Sequence, residues 1–254
     1  MPKKPFGVLI FHGFTDRLDS IQIIASALAG LDLPVYTPVL RGHEAESPEA
    51  LRGVTWGDWV SDAEAALESL LRETDKAIVI GYSLGGLLAL TLAVEHPEDI
   101  EGIVLAAAPV QINSPLAPGG PLHFLVALLK RLVRKWDTPP VYVDTERVKY
   151  HTSYPWAPMD SIVSLLDFCL VVRNRLPEVS VPTLILQSRN DSTAAPGSAK
   201  VIYDTISTPP NEKQIVWFEK TGHEMFRDLE REAVTRTVAD YVKKRVGSRV
   251  DPCA

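Results

Sequence analysis

The pentapeptide Gly81-Tyr82-Ser83-Leu84-Gly85 constrains this chain more than any other feature. It follows the short apolar run Ala77-Ile78-Val79-Ile80 and precedes a helix-like segment over residues 86–96, so it reads as strand, tight turn and helix with a serine at the apex. Glycines two positions before and after the serine remove side chains that would collide in so sharp a turn, and the hydroxyl can stand clear of the backbone at the strand end. A bare G-x-S-x-G also arises by chance, so the flanking strand and helix patterns carry the inference. A serine hydroxyl is a poor nucleophile near neutral pH. It needs a base, itself oriented by an acid, from elsewhere in the chain.

Both are available downstream, the acid before the base. Residues 181–187 (VPTLILQ) have the β-branched, leucine-rich pattern of a buried strand and run into the turn-forming Ser188-Arg189-Asn190-Asp191-Ser192. Residues 214–218 (QIVWF) form another strand pattern, and Thr221-Gly222-His223 follows it before a charged helical segment. In an open parallel sheet the ligand crevice lies outside the carboxyl ends of the strands, which predicts that Ser83, Asp191 and His223 converge there as nucleophile, acid and base. Glu224 adjoins His223, but successive residues of an extended loop point in different directions, so Asp191 is read as the acid.

A further strand, residues 8–11, leads into His12-Gly13-Phe14 near the N-terminus. Acyl transfer passes through an oxyanion that needs fixed donors, and these are assigned to the backbone amides of Phe14 and Leu84. The Leu84 amide lies at a helix N-terminus, where the dipole adds partial positive charge. His12 and His43 are read as residues that fix their loops, because the position of the base is filled by His223.

With these residues the chain resembles the α/β-hydrolases, and among them the small carboxylesterases and monoacylglycerol lipases. The matching features are His12-Gly13-Phe14-Thr15 after the opening strand, Arg41-Gly42-His43 after Tyr36-Thr37-Pro38, a helix start with Trp56 and Trp59, the Ser83 elbow, Asp191 and His223. The resemblance implies the α/β-hydrolase fold and the roles given above for Ser83, Asp191, His223 and the amides of Phe14 and Leu84. It implies a serine carboxylic-ester hydrolase that works through an acyl-enzyme on medium or long acyl esters such as monoacylglycerols, with no metal or organic cofactor. The same constellation would serve a short-chain carboxylesterase, thioesterase, amidase or acyltransferase. A ligand-sensing receptor on the same fold, with vestigial turnover, is the alternative of a different class. Two positions depart from the family pattern: Ser188-Arg189-Asn190-Asp191 stands for Gly-x-x-Asp, and Thr15-Asp16 for Thr-Gly, which makes the first substrate loop more polar.

Strand patterns at 7–11, 34–37, 77–81, 103–107, 182–187 and 214–218 alternate with helical patterns at 19–29, 58–72, 85–96, 161–175, 197–206 and 228–246. Such alternation predicts a mostly parallel sheet of at least six strands with helices on both faces. The interval 110–159 interrupts it and is read as a small lid inserted between two parts of the core, residues 1–109 and 160–246. Within the lid, Leu122, Leu125, Val126, Leu129, Leu132 and Val133 fall at helical spacing, with Lys130, Arg131, Arg134 and Lys135 at the C-terminal end. Phe14, Leu125, Leu129, Trp156 and Phe168 are the residues expected to line the substrate pocket, and the lid is expected to make at most weak contact with a membrane surface. Residues 247–254 read as a disordered tail.

Composition bears on partners and location. The 254 residues carry 26 basic and 32 acidic side chains, a net charge of −6, which excludes a nucleic-acid-binding surface as the organising feature. No stretch has the length of a membrane span, and the apolar run near the N-terminus is too short for a secretory signal, so a cytoplasmic protein, monomer or homodimer, is expected. Cys169 and Cys253 have no metal-ligand spacing, and Cys169 sits in a leucine-rich helical pattern as a small buried hydrophobe.

Overall fold

A computed structural model describes residues 2–117 and 120–247. The chain runs β1 (Lys4–Phe11), α1 (Gln22–Leu28), β2 (Val35–Tyr36), α2 (Trp56–Leu71), β3 (Thr74–Tyr82), α3 (Leu84–Glu95), β4 (Ile100–Ala106), α4 (Val126–Leu132), β5 (Lys135–Asp137), β6 (Trp156–Pro158), α5 (Met159–Arg175), β7 (Thr183–Ser188), α6 (Gly197–Thr205), β8 (Lys213–Phe218) and α7 (Arg231–Gly247). Six strands form one sheet in the order β2-β1-β3-β4-β7-β8, and every pairing in it is parallel.

The apolar runs of the sequence form this sheet because both of its faces are covered. Alternate residues of each strand enter different cores. Leu9, Phe11, Val79, Ile103, Leu105 and Ile185 pack on one face with side chains of α2, α3, α5 and α6, including Trp59, Leu88, Phe168 and Ile202. Val8, Ile10, Ile78, Ile80, Val104 and Leu184 pack on the other, with Ile24 and Leu28 of α1 and Val234, Val238 and Val242 of α7. Helix α3 is buried almost all round, since it runs beneath the central strands; its apolar stretch shows no amphipathic stripe for that reason.

The parallel sheet with helices on both faces agrees with the sequence reading. The interval after β4 departs from it in detail. A single helix was expected over residues 122–135, but α4 ends at Leu132, Val133 is extended, and Lys135 already pairs with Pro158 in the antiparallel β5–β6 ribbon. The ribbon takes the backbone donors and acceptors that a longer helix would have used. The interval is tied to the sheet-end loops by the Tyr154 amide donating to the Thr15 carbonyl at 2.8 Å and by Arg17 Nε donating to the Thr152 carbonyl at 3.1 Å. Gly247 closes α7; the rest of the tail expected over 247–254, Cys253 included, lies outside the described residues. Among the described residues no helix is long and apolar enough to cross a membrane.

Candidate active site

Strand β3 ends at Tyr82 and α3 begins at Leu84, so Ser83 alone makes the turn between them. Its backbone pays for this with φ 51° and ψ −114°, a conformation costly for any residue with a Cβ. The glycines on either side are there for space. A Cβ on Gly81 would lie 2.0 Å from the Gly85 carbonyl oxygen, and one on Gly85 would lie 2.4 Å from that of Phe11. The Ser83 amide donates to the Ala106 carbonyl at 2.8 Å, which anchors the strained residue to β4.

The structure brings Ser83, His223 and Asp191 into one hydrogen-bonded line. Ser83 Oγ and His223 Nε2 are 3.0 Å apart, and His223 Nδ1 lies 2.9 Å from Asp191 Oδ2. All three are buried. Asp191 also accepts the amides of Thr193 and Ala194 on Oδ1, each at 2.9 Å, and Gln187 Nε2 on Oδ2 at 3.1 Å, so its carboxylate is fixed from both sides. Gln187 was not singled out in the sequence; its strand position gave no sign that its side chain reaches forward to the loop. The turn before Asp191 needs no glycine, because none of residues 188–191 takes a positive φ. Ser188 instead uses its hydroxyl to accept the Asn190 amide at 2.9 Å and to donate to the Thr221 carbonyl, which joins the Asp191 and His223 loops.

The amides of Phe14 and Leu84 donate to no protein group among the described residues. The loop that holds Phe14 is braced by two buried histidines. His12 Nε2 accepts the Leu40 amide and His43 Nε2 accepts the Thr15 amide, each at 3.2 Å. Burial lowers the pKa of both, that of His43 to about 3, and so keeps their rings neutral and able to accept.

The sequence of the chain agrees with this geometry when compared with known proteins. Residues 4–230 match the Hydrolase_4 family, described as serine aminopeptidase, S33. The chain belongs to this α/β-hydrolase family. The hydrolase is 31% identical to a thermostable monoacylglycerol lipase of Bacillus sp. (strain H-257), over 96% of this chain and 92% of that one. It is 29% identical to a carboxylesterase of Bacillus subtilis (strain 168), over 95% and 96% of the two chains. A solved structure reported for LipS and LipT, two metagenome-derived lipolytic enzymes, superposes with a TM-score of 0.85 at 28% identity and covers 95% of both chains.

Two cavities meet beside Ser83 in the hydrolase. One, of about 420 Å³, is apolar and lined by Phe14, Ile112, Val126, Met159, Ile162 and Leu166 among others. The other, of about 110 Å³, contains Ser83 and His223 and is also lined by Asp16, His151, Ser153 and Glu224. Phe14, Ile112, Thr138, Pro139, Leu165 and Thr193 border both. Of the expected pocket residues, only Phe14 lines either cavity. Phe168 stacks on Trp56 with ring centroids 5.6 Å apart, on the side of α5 that faces α2 and α3. Trp156 sits in β6 with Lys135 Nζ 4.0 Å above its ring, and Val126 takes the inward position expected of Leu125 and Leu129. The sequence showed that α4 and α5 are apolar; the rotation of each about its axis selected the residues.

Electrostatics around His223 are dominated by acids. Burial works against its imidazolium, but Asp191, with Glu224 and Asp16 behind it, outweighs that penalty and raises the pKa to about 9. Burial and Asp16 raise Glu224 to about 7. Glu224 Oε2 accepts the Tyr82 hydroxyl at 3.0 Å.

Proposed function

We propose that this hydrolase cleaves carboxylic esters by way of an acyl-enzyme, with Ser83 as nucleophile, His223 as general base and acid, and Asp191 as the group that orients His223 and stabilises its imidazolium. The observation that carries the reading is the continuous Ser83–His223–Asp191 line at 3.0 and 2.9 Å, whose serine and histidine line the smaller cavity that borders the apolar one. Neutral His223 takes the Ser83 proton as Oγ attacks the ester carbonyl. The amides of Phe14 and Leu84, which donate to no protein group among the described residues, serve the oxyanion, and the start of α3 adds its dipole. His223 then passes the proton to the departing alcohol, and a water activated by the same imidazole releases the acid.

The apolar cavity of about 420 Å³ supports medium or long acyl chains, in keeping with the lipase and carboxylesterase named above. Residues 110–159, which carry α4 and the β5–β6 ribbon, act as its lid. Phe124, Leu128 and Leu132 on the lid are exposed beside Arg131 and Arg134, a surface suited to brief contact with a lipid layer, while the enzyme itself works in the cytoplasm as a monomer or homodimer.

The test is initial-rate hydrolysis of p-nitrophenyl esters from acetyl to palmitoyl, beside monoacylglycerols of matching chain length, with Ser83→Ala as control. Serine-dependent turnover that peaks at medium or long chains supports the reading. Activity confined to acetyl and butyryl esters would assign a short-chain carboxylesterase, and a single product equivalent followed by silence would assign a ligand-sensing receptor.

A further inference from the structure

Outside the catalytic site, a cavity of about 280 Å³ is lined by Tyr142, Arg147, Tyr150, Phe226, Arg227 and Arg231. The first three come from the interval between β5 and β6, and the others from the stretch between His223 and the first residue of α7. Three guanidinium groups and no carboxylate border it. Arg227 is the most occupied of them: Nη1 lies 3.3 Å from Asp16 Oδ1 and from Ser153 Oγ, while Nη2 donates to Asp19 and, at 2.9 Å, to the Thr152 hydroxyl. Arg147 Nη1 donates to the Arg227 carbonyl at 3.2 Å, and its Nε, buried and without a hydrogen-bond partner, lies 3.3 Å from Asp144 Oδ2. Arg147 Nη2 donates to no protein group among the described residues. The Arg231 side chain likewise donates no hydrogen bond among them; its ion pair is with the adjacent Glu232, 3.7 Å from Nη2.

Like charges gathered around one concave space repel, and a bound anion removes that repulsion while it fills the guanidinium donors. A phosphate monoester carries about −1.5 to −2 charges at pH 7 and three acceptor oxygens, which match two guanidinium groups with unused donors. The rest of the wall is aromatic: Phe226 is buried, Tyr142 is half-buried with its hydroxyl 3.2 Å from His151 Nδ1, and Tyr150 is exposed. Such rings pack on a flat organic group. The volume is close to the lower end of small-molecule pockets, roughly 300 Å³, which limits that group to about one ring. We propose that this cavity binds a small phosphate monoester with an aromatic body, held by Arg147 and Arg231 and packed on Tyr142 and Tyr150, and that its occupation ties residues 142–150 to the segment that follows His223. A carboxylate on the same body brings one charge and two oxygens and binds more weakly. The site is independent of the esterase reading, because neither Ser83 nor His223 lines it.

The experiment measures binding of phenyl phosphate to the full chain by titration calorimetry and by its effect on Tm, at fixed pH and ionic strength, beside inorganic phosphate, benzoate and phenol. Phenyl phosphate is expected to bind and to raise Tm with the logarithm of its concentration above Kd. Benzoate should bind about tenfold more weakly, and phenol should give no shift. Arg231→Gln and Arg147→Gln should each weaken phenyl phosphate binding by about tenfold or more. Tyr150→Ala should weaken it by about threefold and leave inorganic phosphate unaffected. Ester hydrolysis without ligand should match wild type in all three variants, since none of these side chains lines the cavity that holds Ser83. Ser83→Ala should bind phenyl phosphate as wild type does, so the site is tested even in a chain that hydrolyses no ester. Absence of binding, or equal binding by wild type and both arginine variants, would overturn the site. Inorganic phosphate bound as tightly as phenyl phosphate would overturn the aromatic part of it. Capture on phosphatidic acid vesicles without binding of the soluble ester would place the anion in a membrane surface and overturn the small-molecule site.

Discussion

Asp228 accepts the amide of Gly222 on Oδ2 at 2.7 Å, one residue before His223. The same oxygen accepts the Val143 amide at 2.6 Å, while Oδ1 accepts those of Asp144 and Leu229 at 3.2 and 2.8 Å. A single fully buried carboxylate therefore fixes the His223 loop and the stretch of chain that passes over it. A Cβ on Gly222 would lie 2.2 Å from the Val141 carbonyl oxygen, which shows how closely the two segments run. Replacement by Ala would leave four amides without this acceptor, the buried one of Gly222 and the part-buried ones of Val143, Asp144 and Leu229. Asp228→Ala is expected to destabilise the fold by about 3–5 kcal/mol and to lower kcat of the surviving folded fraction. Denaturant melts and active-site titration check both; a variant with wild-type stability would show that the four amides have other acceptors.

The turn at Ser83 separates activity from stability. Ser83→Ala and Ser83→Gly both remove the hydroxyl and should reduce ester hydrolysis by about 10⁶-fold. They should differ in stability, because Gly alone accepts φ 51° and ψ −114° without a Cβ penalty. Ser83→Gly is expected to melt above Ser83→Ala, by an amount equivalent to about 1 kcal/mol. Coincident melting curves would mean that the conformation stores no strain.

Gly85 offers the opposite case. A side chain there would press on the Phe11 carbonyl at 2.4 Å, and backbone cannot give way as a flexible side chain can. Gly85→Ala should cost about 3 kcal/mol or more and displace the Leu84 amide, so that kcat falls further than the loss of folded protein explains. The comparison is between specific activity and the folded fraction read by circular dichroism.

Activity should increase towards alkaline pH. Against the opposing effect of burial, Asp191, Glu224 and Asp16 raise the His223 pKa to about 9, and below that value the imidazole holds a proton and cannot take the one on Ser83. The acidic limb of kcat/KM should lie well above the unperturbed value of about 6.5 for histidine. Glu224→Gln, which removes one of the supporting charges, should move the limb downward. For stability the sign is reversed. The raised pKa stabilises the fold fully below about 6.5 and that contribution is lost as pH rises through about 9, so Tm should decline over the range in which activity climbs. A limb at or below 6.5 would contradict the acidic environment of His223.

The two faces of α5 can be told apart by mutation. Ile162 lines the apolar cavity, whereas Phe168 packs against Trp56 away from it. Ile162→Trp should shorten the preferred acyl chain with little loss of stability. Phe168→Ala should cost about 3–5 kcal/mol and leave the order of chain-length preference unchanged. The acyl-length profile and a denaturant melt, run on both variants, decide it.

Much of the architecture was legible because its causes are local. Apolar runs of strand length, separated by helical patterns, dictate a covered parallel sheet, and two glycines around a serine at a strand end dictate the tight turn at Ser83. Asp191 and His223 could be picked out because each follows a strand, and a parallel sheet carries the ends of its strands to one edge. The longer lid helix was misread because the competitor for Lys135 lies in Pro158, more than twenty residues away, and no local pattern announces that pairing.

What the sequence by itself determined is the order of elements, the turn that exposes Ser83, and the candidates Asp191 and His223, since periodicity and turn chemistry act over a few neighbouring residues. Tertiary structure alone decided that Gln187 holds Asp191, that Asp228 ties the His223 loop to residues 143 and 144, and that Val126 and Ile162 rather than Leu129 and Phe168 face the cavity. Each of these depends on the rotation of a helix about its axis or on contact between segments far apart in the chain, and such quantities are set only when the whole core packs at once.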